Sequence, residues 1–400
     1  MTVLKVAVVA YSAPPHGAGG VASAHFNLFR LVQKSGLEAR LFTFGEDGLR
    51  DEADIIRRGS PGWIVTLVQK TLGVLFAILQ PDKGAYQTAD ILKSFIGGRR
   101  MNREIVAFAP DVIVLSDHGA PGLALDKPNK SKVILVSHHN PARFLALAGA
   151  NYSRLDARLA LYLEHRVLIK VDAVVCPSVY MREWFARTYK FGGVIKVIPN
   201  LLDEEALKAI PPMDLRSQFN MEPETVVVYL PSAGGALKGA YHLLDLIRRM
   251  CGRSKKVIGF YVPGDIPPTL MEQTAGLPDQ ARFCFTGQLS YAEHIANVKA
   301  CSFGISPSLI ENYSMALLEA VHCGVPMLVF ETGGNADIIQ NGENGHLVAE
   351  GDVEALSELA IELLEAGTLQ ELRQKTKVFS QGHLSSRTAL KAYLDLMASL

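Results

Sequence analysis

The stretch Phe303–Phe330, FGISPSLIENYSMALLEAVHCGVPMLVF, decides how this chain folds. Phe303–Ser306 reads as a short buried strand. A polar turn follows, then an apolar helical run that stops at Gly324, and Pro326–Phe330 starts a second strand. Strand, helix and strand in immediate succession form a parallel crossover unit.

The same alternation extends to both sides. In the second half strands are expected at Thr225–Tyr229, Val257–Val262, Arg282–Thr286, Phe303–Ser306 and Pro326–Phe330. In the first half they are expected at Val3–Tyr11, Glu38–Phe44, Val112–Ser116, Val133–Ser137, Ala173–Pro177 and Val194–Ile198. Between the halves, from Pro199-Asn200 to Pro211-Pro212, the chain turns polar and loses its strands. The fold class is α/β, with two Rossmann-like doubly wound domains, 1–205 and 206–382, and a final helical stretch, 383–400.

With 400 residues and 48% hydrophobic content, the chain can bury a core in each domain. Forty basic and forty acidic side chains give a formal net charge of zero. A nucleic-acid partner is therefore not expected. The zero conceals an asymmetry: residues 1–205 carry 25 basic and 19 acidic side chains, residues 206–400 carry 15 and 21. Five widely spaced cysteines without a CxxC pair support neither a disulfide framework nor a zinc site. Lys5 interrupts the first apolar run, so a buried strand fits it better than a signal peptide, and a cytoplasmic place is expected. Residues 61–79, PGWIVTLVQKTLGVLFAIL, approach membrane length, but Gln69 and Lys70 fall at their centre. Ile64–Leu79 therefore suits either a helix packed in a domain or an amphipathic helix lying on an interface.

In parallel sheets ligands bind where strands end, so the turns after strands carry the chemistry. The turn after Ser306 holds Glu311, and the following helix holds Glu319. A helix beginning near Asn312 would place Glu319 two turns inside and Glu311 just before its first turn, with the amides of Tyr313, Ser314 and Met315 between them. Such a site suits a nucleoside diphosphate sugar: Glu319 for ribose hydroxyls, the helix terminus for phosphate, Glu311 for sugar hydroxyls. The plainer alternative makes Glu311 a helix-dipole partner and Glu319 a solvated side chain. After the first strand the glycines run Gly17, Gly19, Gly20, and the second strand ends Thr43-Phe44-Gly45. A dinucleotide fingerprint needs a different glycine spacing and an acid at that second strand end, which argues against a nicotinamide oxidoreductase.

Glu311-x7-Glu319, followed by Gly324-Val325-Pro326, Gly333-Gly334-Asn335-Ala336-Asp337 and Asn341-Gly342-Glu343-Asn344-Gly345, resembles a family 4 glycosyltransferase of the GT-B fold. Gly19-Gly20-Val21, Pro110-Asp111-Val112, Asp172-Ala173-Val174 with Ser178, Ile198-Pro199-Asn200 with Asp203, and Lys238-Gly239 fall in the family's order. The resemblance implies an interdomain cleft and a C-terminal helix crossing back to the first domain. It implies sugar transfer from a nucleotide sugar with retention of configuration, without a cofactor and without a metal.

Carried over, Glu319 would bind the donor ribose, Glu311 the transferred sugar, and Lys238 the departing diphosphate. Asn312, Tyr313, Ser314, Met315, Gly19 and Gly20 would also face the donor. The family usually has an arginine five or six residues before this lysine; here Ser232 and Ala233 stand there. The amides of Gly234 and Gly235 would form an anion nest in its place. His139 is expected beside the sugar, orienting rather than attacking, with His16, His118 and His138 in the acceptor vicinity. Arg57, Arg58, Arg99, Arg100 and Arg103 suggest a basic patch near Ile64–Leu79 that would bring an anionic membrane surface and a lipid-linked acceptor together. The leading expectation is a transferase of surface polysaccharide or glycolipid assembly, acting on a glycan or lipid-linked acceptor, peripheral on the inner face of the membrane. Sugar-nucleotide epimerisation and catalytically weak nucleotide-sugar binding are the alternatives.

Overall fold

The computed structural model describes residues 4–17, 19–79, 86–128, 130–145, 153–231 and 233–400. Val3 and Ser232, named above, lie outside them. The chain forms two compact units: Met1–Leu201 with Arg387–Leu400, and Leu202–Ser386.

The strands are β1 Lys5–Ala10, β2 Glu38–Thr43, β3 Ile55–Arg57, β4 Val112–Ser116, β5 Lys132–Val136, β6 Ala173–Cys176 and β7 Val194–Val197 in the first unit. The second unit contains β8 Val226–Tyr229, β9 Ile258–Pro263, β10 Ala281–Gly287, β11 Phe303–Ser306, β12 Met327–Phe330 and β13 Gly345–Val348. The first six helices are α1 Gly20–Lys34, α2 Gly62–Leu79, α3 Tyr86–Phe108, α4 Pro141–Leu145, α5 Arg154–Leu168 and α6 Val179–Thr188. They are followed by α7 Glu204–Ala209, α8 Leu215–Gln218, α9 Ala240–Arg253, α10 Pro268–Thr274 and α11 Tyr291–Ala300. The last are α12 Met315–His322, α13 Val353–Glu365, α14 Leu369–His383 and α15 Ser386–Ser399.

Sheet order is β3-β2-β1-β4-β5-β6-β7 in the first unit and β10-β9-β8-β11-β12-β13 in the second. All ladders between these strands are parallel. Both are Rossmann-like sheets. The two-residue period divides β1 between two cores, Val6, Val8 and Ala10 on one face and Ala7 and Val9 on the other. β3 and β13 were not foreseen. They are edge strands of three and four residues, too short to give a periodic signal.

Asp111 and Asp172 set the register of neighbouring strands. Asp111 accepts the Lys5 amide at 2.8 Å, and Asp172 accepts the Val133 amide at 2.7 Å while holding the Lys127 ammonium at 2.6 Å. α15 returns to the first unit, where Ala389, Tyr393, Leu396 and Met397 join the core beside Val6, Val8 and Phe29. Their spacing of four, seven and eight residues is the apolar stripe of a core-facing helix. All five cysteines are free and buried.

α2 buries Phe76 but exposes Trp63, Leu67, Val74 and Ile78. At 100° per residue these four fall within about 60° of one another on the helix surface. Among the described residues no helix is long and apolar enough to cross a membrane. The basic patch expected nearby is corrected by ion pairing. Arg57 pairs with Glu46 and Glu52, Arg58 with Asp51 and Glu104, Arg99 with Asp126, and Arg100 with Asp47. Arg103 is exposed.

Candidate active site

Each sheet reverses its strand order once, between β1 and β4 in the first unit and between β8 and β11 in the second. The carboxyl ends of such pairs form the crevice in which doubly wound sheets bind ligands. The segments after β8 and β11 hold Lys238, Glu311 and Glu319; those after β1, β4 and β5 hold the glycines and histidines.

In the second unit a 3-10 turn, Ala236–Lys238, ends at Gly239 with φ 82°. A Cβ at Gly239 would stand 1.9 Å from the Pro307 carbonyl oxygen, so only glycine lets the two turns touch. The Leu309 amide donates to the Leu237 carbonyl at 3.0 Å and completes the seam. From the other side, Thr332 Oγ1 donates to the Ser308 carbonyl at 2.8 Å, and Gly333, with φ 57°, backs onto the Glu311 carbonyl, 1.8 Å from where its Cβ would be. The turn that carries Glu311 is thus gripped by the turns after β8 and β12. The grip brings Lys238 Nζ to 2.6 Å from Glu311 Oε1, with the lysine side chain 36% exposed and that of the glutamate 9%. A partly exposed cation sits on a buried carboxylate in a short, charge-assisted contact.

α12 begins at Met315, with Ser314 at its N-cap, and not near Asn312. Asn312 and Ser314 favour the turn over a first helical residue. Glu319 consequently lies one turn inside the helix instead of two. Glu319 is buried, not solvated. Burial pushes its carboxyl up to about 7, while a hydrogen bond from the Tyr291 phenol opposes the shift. Tyr313, six residues before it, is buried, and Met315 opens the helix. Ala233, at one of the positions where arginine is usual in the resembling family, is buried. At Gly234 a Cβ would stand 2.7 Å from the Asp265 carbonyl, so this glycine meets the turn after β9.

In the first unit Gly19, with φ 112°, precedes α1, and Gly19 and Gly20 are exposed. His16 is exposed in the same turn. Beyond the end of β5, His138 and His139 turn to different neighbours. His138 is buried, its Nε2 2.9 Å from Asn200 Oδ1 and its ring 5.3 Å from that of His25 on α1. His139 turns toward His118, with ring centroids 5.4 Å apart. Burial first, then the neighbouring His118, lowers His139 to about 4, so its imidazole is neutral at physiological pH. Tyr11 at 5.3 Å from His118 and Phe144 at 5.1 Å from His139 extend the row of rings across the ends of β1, β4 and β5.

Sequence reasoning missed several partners here. Asp90 of α3 lies 3.7 Å from His118 Nε2 and also pairs with Lys93. Burial opposes its ionisation, but hydrogen bonds from His118 and Lys93 hold the carboxyl below its ordinary range. Asp117 accepts the His139 amide at 2.8 Å. The Asp117-His118 dipeptide was a readable clue, whereas Asp90 lies on a helix far away in sequence.

Residues 214–380 match the family described as Glycosyl transferases group 1, and residues 18–206 match Glycosyltransferase Family 4. Among curated proteins, a phosphatidyl-myo-inositol mannosyltransferase of Mycobacterium leprae is 24% identical over 68% of this chain and 69% of its own length. An N-acetyl-alpha-D-glucosaminyl L-malate synthase of Bacillus anthracis is 24% identical over 43% of this chain, and the match spans only 44% of that protein. Among solved structures, a sucrose-phosphate synthase from Thermosynechococcus elongatus superposes with a TM-score of 0.77, 17% identity and coverage of 99% of this chain and 100% of that one. An Anabaena protein in complex with UDP and glucose superposes with a TM-score of 0.68, 17% identity and the same coverage.

Proposed function

This chain belongs to family 4 of the GT-B glycosyltransferases, and from that premise we propose that it moves a sugar from a nucleoside diphosphate sugar to an acceptor hydroxyl, retaining anomeric configuration and needing no metal. The observation that carries the reading is the Lys238–Glu311 contact of 2.6 Å at the strand-order reversal of the second unit. The donor diphosphate takes Lys238, and Glu311, released, accepts hydrogen bonds from the sugar hydroxyls. Glu319 holds the ribose, and the amides at the start of α12 and the Gly19–Gly20 turn face the phosphates.

The anomeric C–O bond breaks with its electron pair on the diphosphate, and the Lys238 ammonium stabilises that developing charge. The acceptor oxygen bonds to the anomeric carbon on the same face, and its proton passes to the departing phosphate oxygen. Neutral His139 orients the acceptor, with His118 beside it. The second unit is the donor side and the first the acceptor side. The acceptor is a glycan or a lipid-linked sugar of surface polysaccharide or glycolipid assembly, met at the inner face of a membrane on which α2 rests.

Release of sugar from a panel of UDP-, GDP- and ADP-sugars, with and without acceptors, tests this reading. One base is expected to support turnover, and Lys238→Ala to lower kcat/KM at least about a hundredfold. Near-normal activity of Lys238→Ala would remove the lysine from the mechanism. A second reading, nucleotide-sugar binding without turnover, is favoured by buried Ala233 at an arginine position. Saturable donor binding with no product across the panel would establish it.

A further inference from the structure

At the ligand end of the first sheet lies a buried charge to which the transfer reaction assigns no role. Arg57 closes β3 with its side chain fully buried. Its Nη1 donates to Glu46 Oε2 at 2.6 Å and its Nη2 to Glu52 Oε1 at 2.7 Å. The same two nitrogens reach the carbonyls of Ala13 and Pro14, each at 3.4 Å. Glu46 also accepts the Ala13 amide at 3.2 Å, and the Gly45 amide donates to the Tyr11 carbonyl at 2.8 Å. Tyr11, Ala13 and Pro14, the first residues beyond β1, are therefore held by a bracket from residues more than thirty positions away.

A buried ion pair is a poor source of stability, because desolvation offsets most of the attraction and apolar residues of similar size serve a core as well. What a guanidinium between two carboxylates supplies is direction. It fixes the orientation of the peptides it touches, which dispersion contacts do not. This bracket sits under the turn that leads to exposed His16, Gly19 and Gly20, not inside either core. Gly17, whose amide donates to the Ala13 carbonyl at 2.8 Å, closes that turn on the bracketed residue.

We infer that Arg57 and Glu46 are positioning residues that fix the Ala13–Gly17 turn and so present the start of α1 to the anionic part of the donor. The link to the donor rests on the function proposed above; the bracketing of the turn does not. Arg57→Lys keeps the charge but loses the fork, and Glu46→Gln keeps the shape but loses the negative charge that faces the guanidinium. Both variants, and Glu52→Gln as a control at the half-exposed partner, are to be compared with the wild-type chain by circular dichroism, amide hydrogen exchange over residues 13–20, and kcat and KM for the donor.

Faster exchange across 13–20 is expected in Arg57→Lys and Glu46→Gln, with donor KM raised about fivefold or more and kcat within about twofold, the pattern of lost uniform binding. Glu52→Gln is expected to change neither. Unchanged exchange in folded variants would overturn the bracket, and faster exchange with unchanged KM would overturn its link to the donor. An equal effect in Glu52→Gln would show that net charge, not direction, matters and would equally overturn it. If Arg57→Lys does not fold, Glu46→Gln, isosteric with the native residue, decides. A wild-type chain that binds no nucleotide sugar would refute the donor reading alone, because exchange still tests the bracket.

Discussion

Glu319 is buried, and the function proposed above makes it the ribose ligand. Its carboxyl, pushed up to about 7 by burial, is held protonated by the folded protein at pH values where an unfolded chain would have released the proton. The native state therefore binds more protons between the ordinary glutamate value and 7, and this residue's contribution to stability falls as pH rises through that window. In the proposed function ribose hydroxyls would donate to the ionised form, so donor binding should lower the same pKa. Calorimetric titration between pH 5.5 and 8.5 is expected to show affinity rising with pH and levelling above about 7, by at most about tenfold per unit below it. Glu319→Gln should flatten the profile. Gly333 makes a steric counterpart: Ala would add a Cβ 1.8 Å from the Glu311 carbonyl at a left-handed φ. Gly333→Ala is expected to cost about 1–3 kcal/mol in denaturant unfolding and to reduce turnover by displacing Glu311.

At the scale of elements, α15 and α2 make opposite predictions. Leu396 and Met397 of α15 are buried in the first unit's core, so Leu396→Ala should cost about 2–4 kcal/mol, measured by urea unfolding. α2 exposes its apolar line while Arg58, Arg99 and Arg100 nearby are committed to carboxylates. Any membrane contact through α2 is then driven by apolar burial, not by charge. Flotation with zwitterionic vesicles should succeed and resist added salt, and Leu67→Asp with Ile78→Asp should abolish it. Flotation only with anionic vesicles, lost on adding salt, would return the role to charge. What the sequence made legible follows the same division. Long periodic elements such as α1 and β1 were readable, and Gly324 marked the end of α12 correctly. The start of α12 was not, because Asn312-Tyr313-Ser314 can extend a helix or cap one, and the choice is made by Gly333 and Leu237 from distant turns.

Across the whole molecule, the two sheets share one wiring, and in both the residues predicted to act follow the carboxyl ends of strands at the reversal of strand order or, for His138 and His139, one strand beyond it. That placement was legible because chemistry-bearing turns follow buried strands in parallel folds. The pairing of Lys238 with Glu311, the ring row from Tyr11 to Phe144 and the Arg57 bracket were not, since each joins segments whose separation in sequence carries no pattern. Of the arginines expected to form a basic surface, Arg57 became an internal clamp and Arg58, Arg99 and Arg100 found carboxylates, for the same reason: charge content is visible in a sequence and charge partners are not. The return of α15 also orders events on the ribosome. Residues 387–400 are translated after the entire second unit, so the face formed by Val6, Val8 and Phe29 waits through some two hundred codons for its cover. A nascent chain stalled after residue 386 should present that face to chaperones and proteases, and the half of the protein made first is the half that finishes folding last.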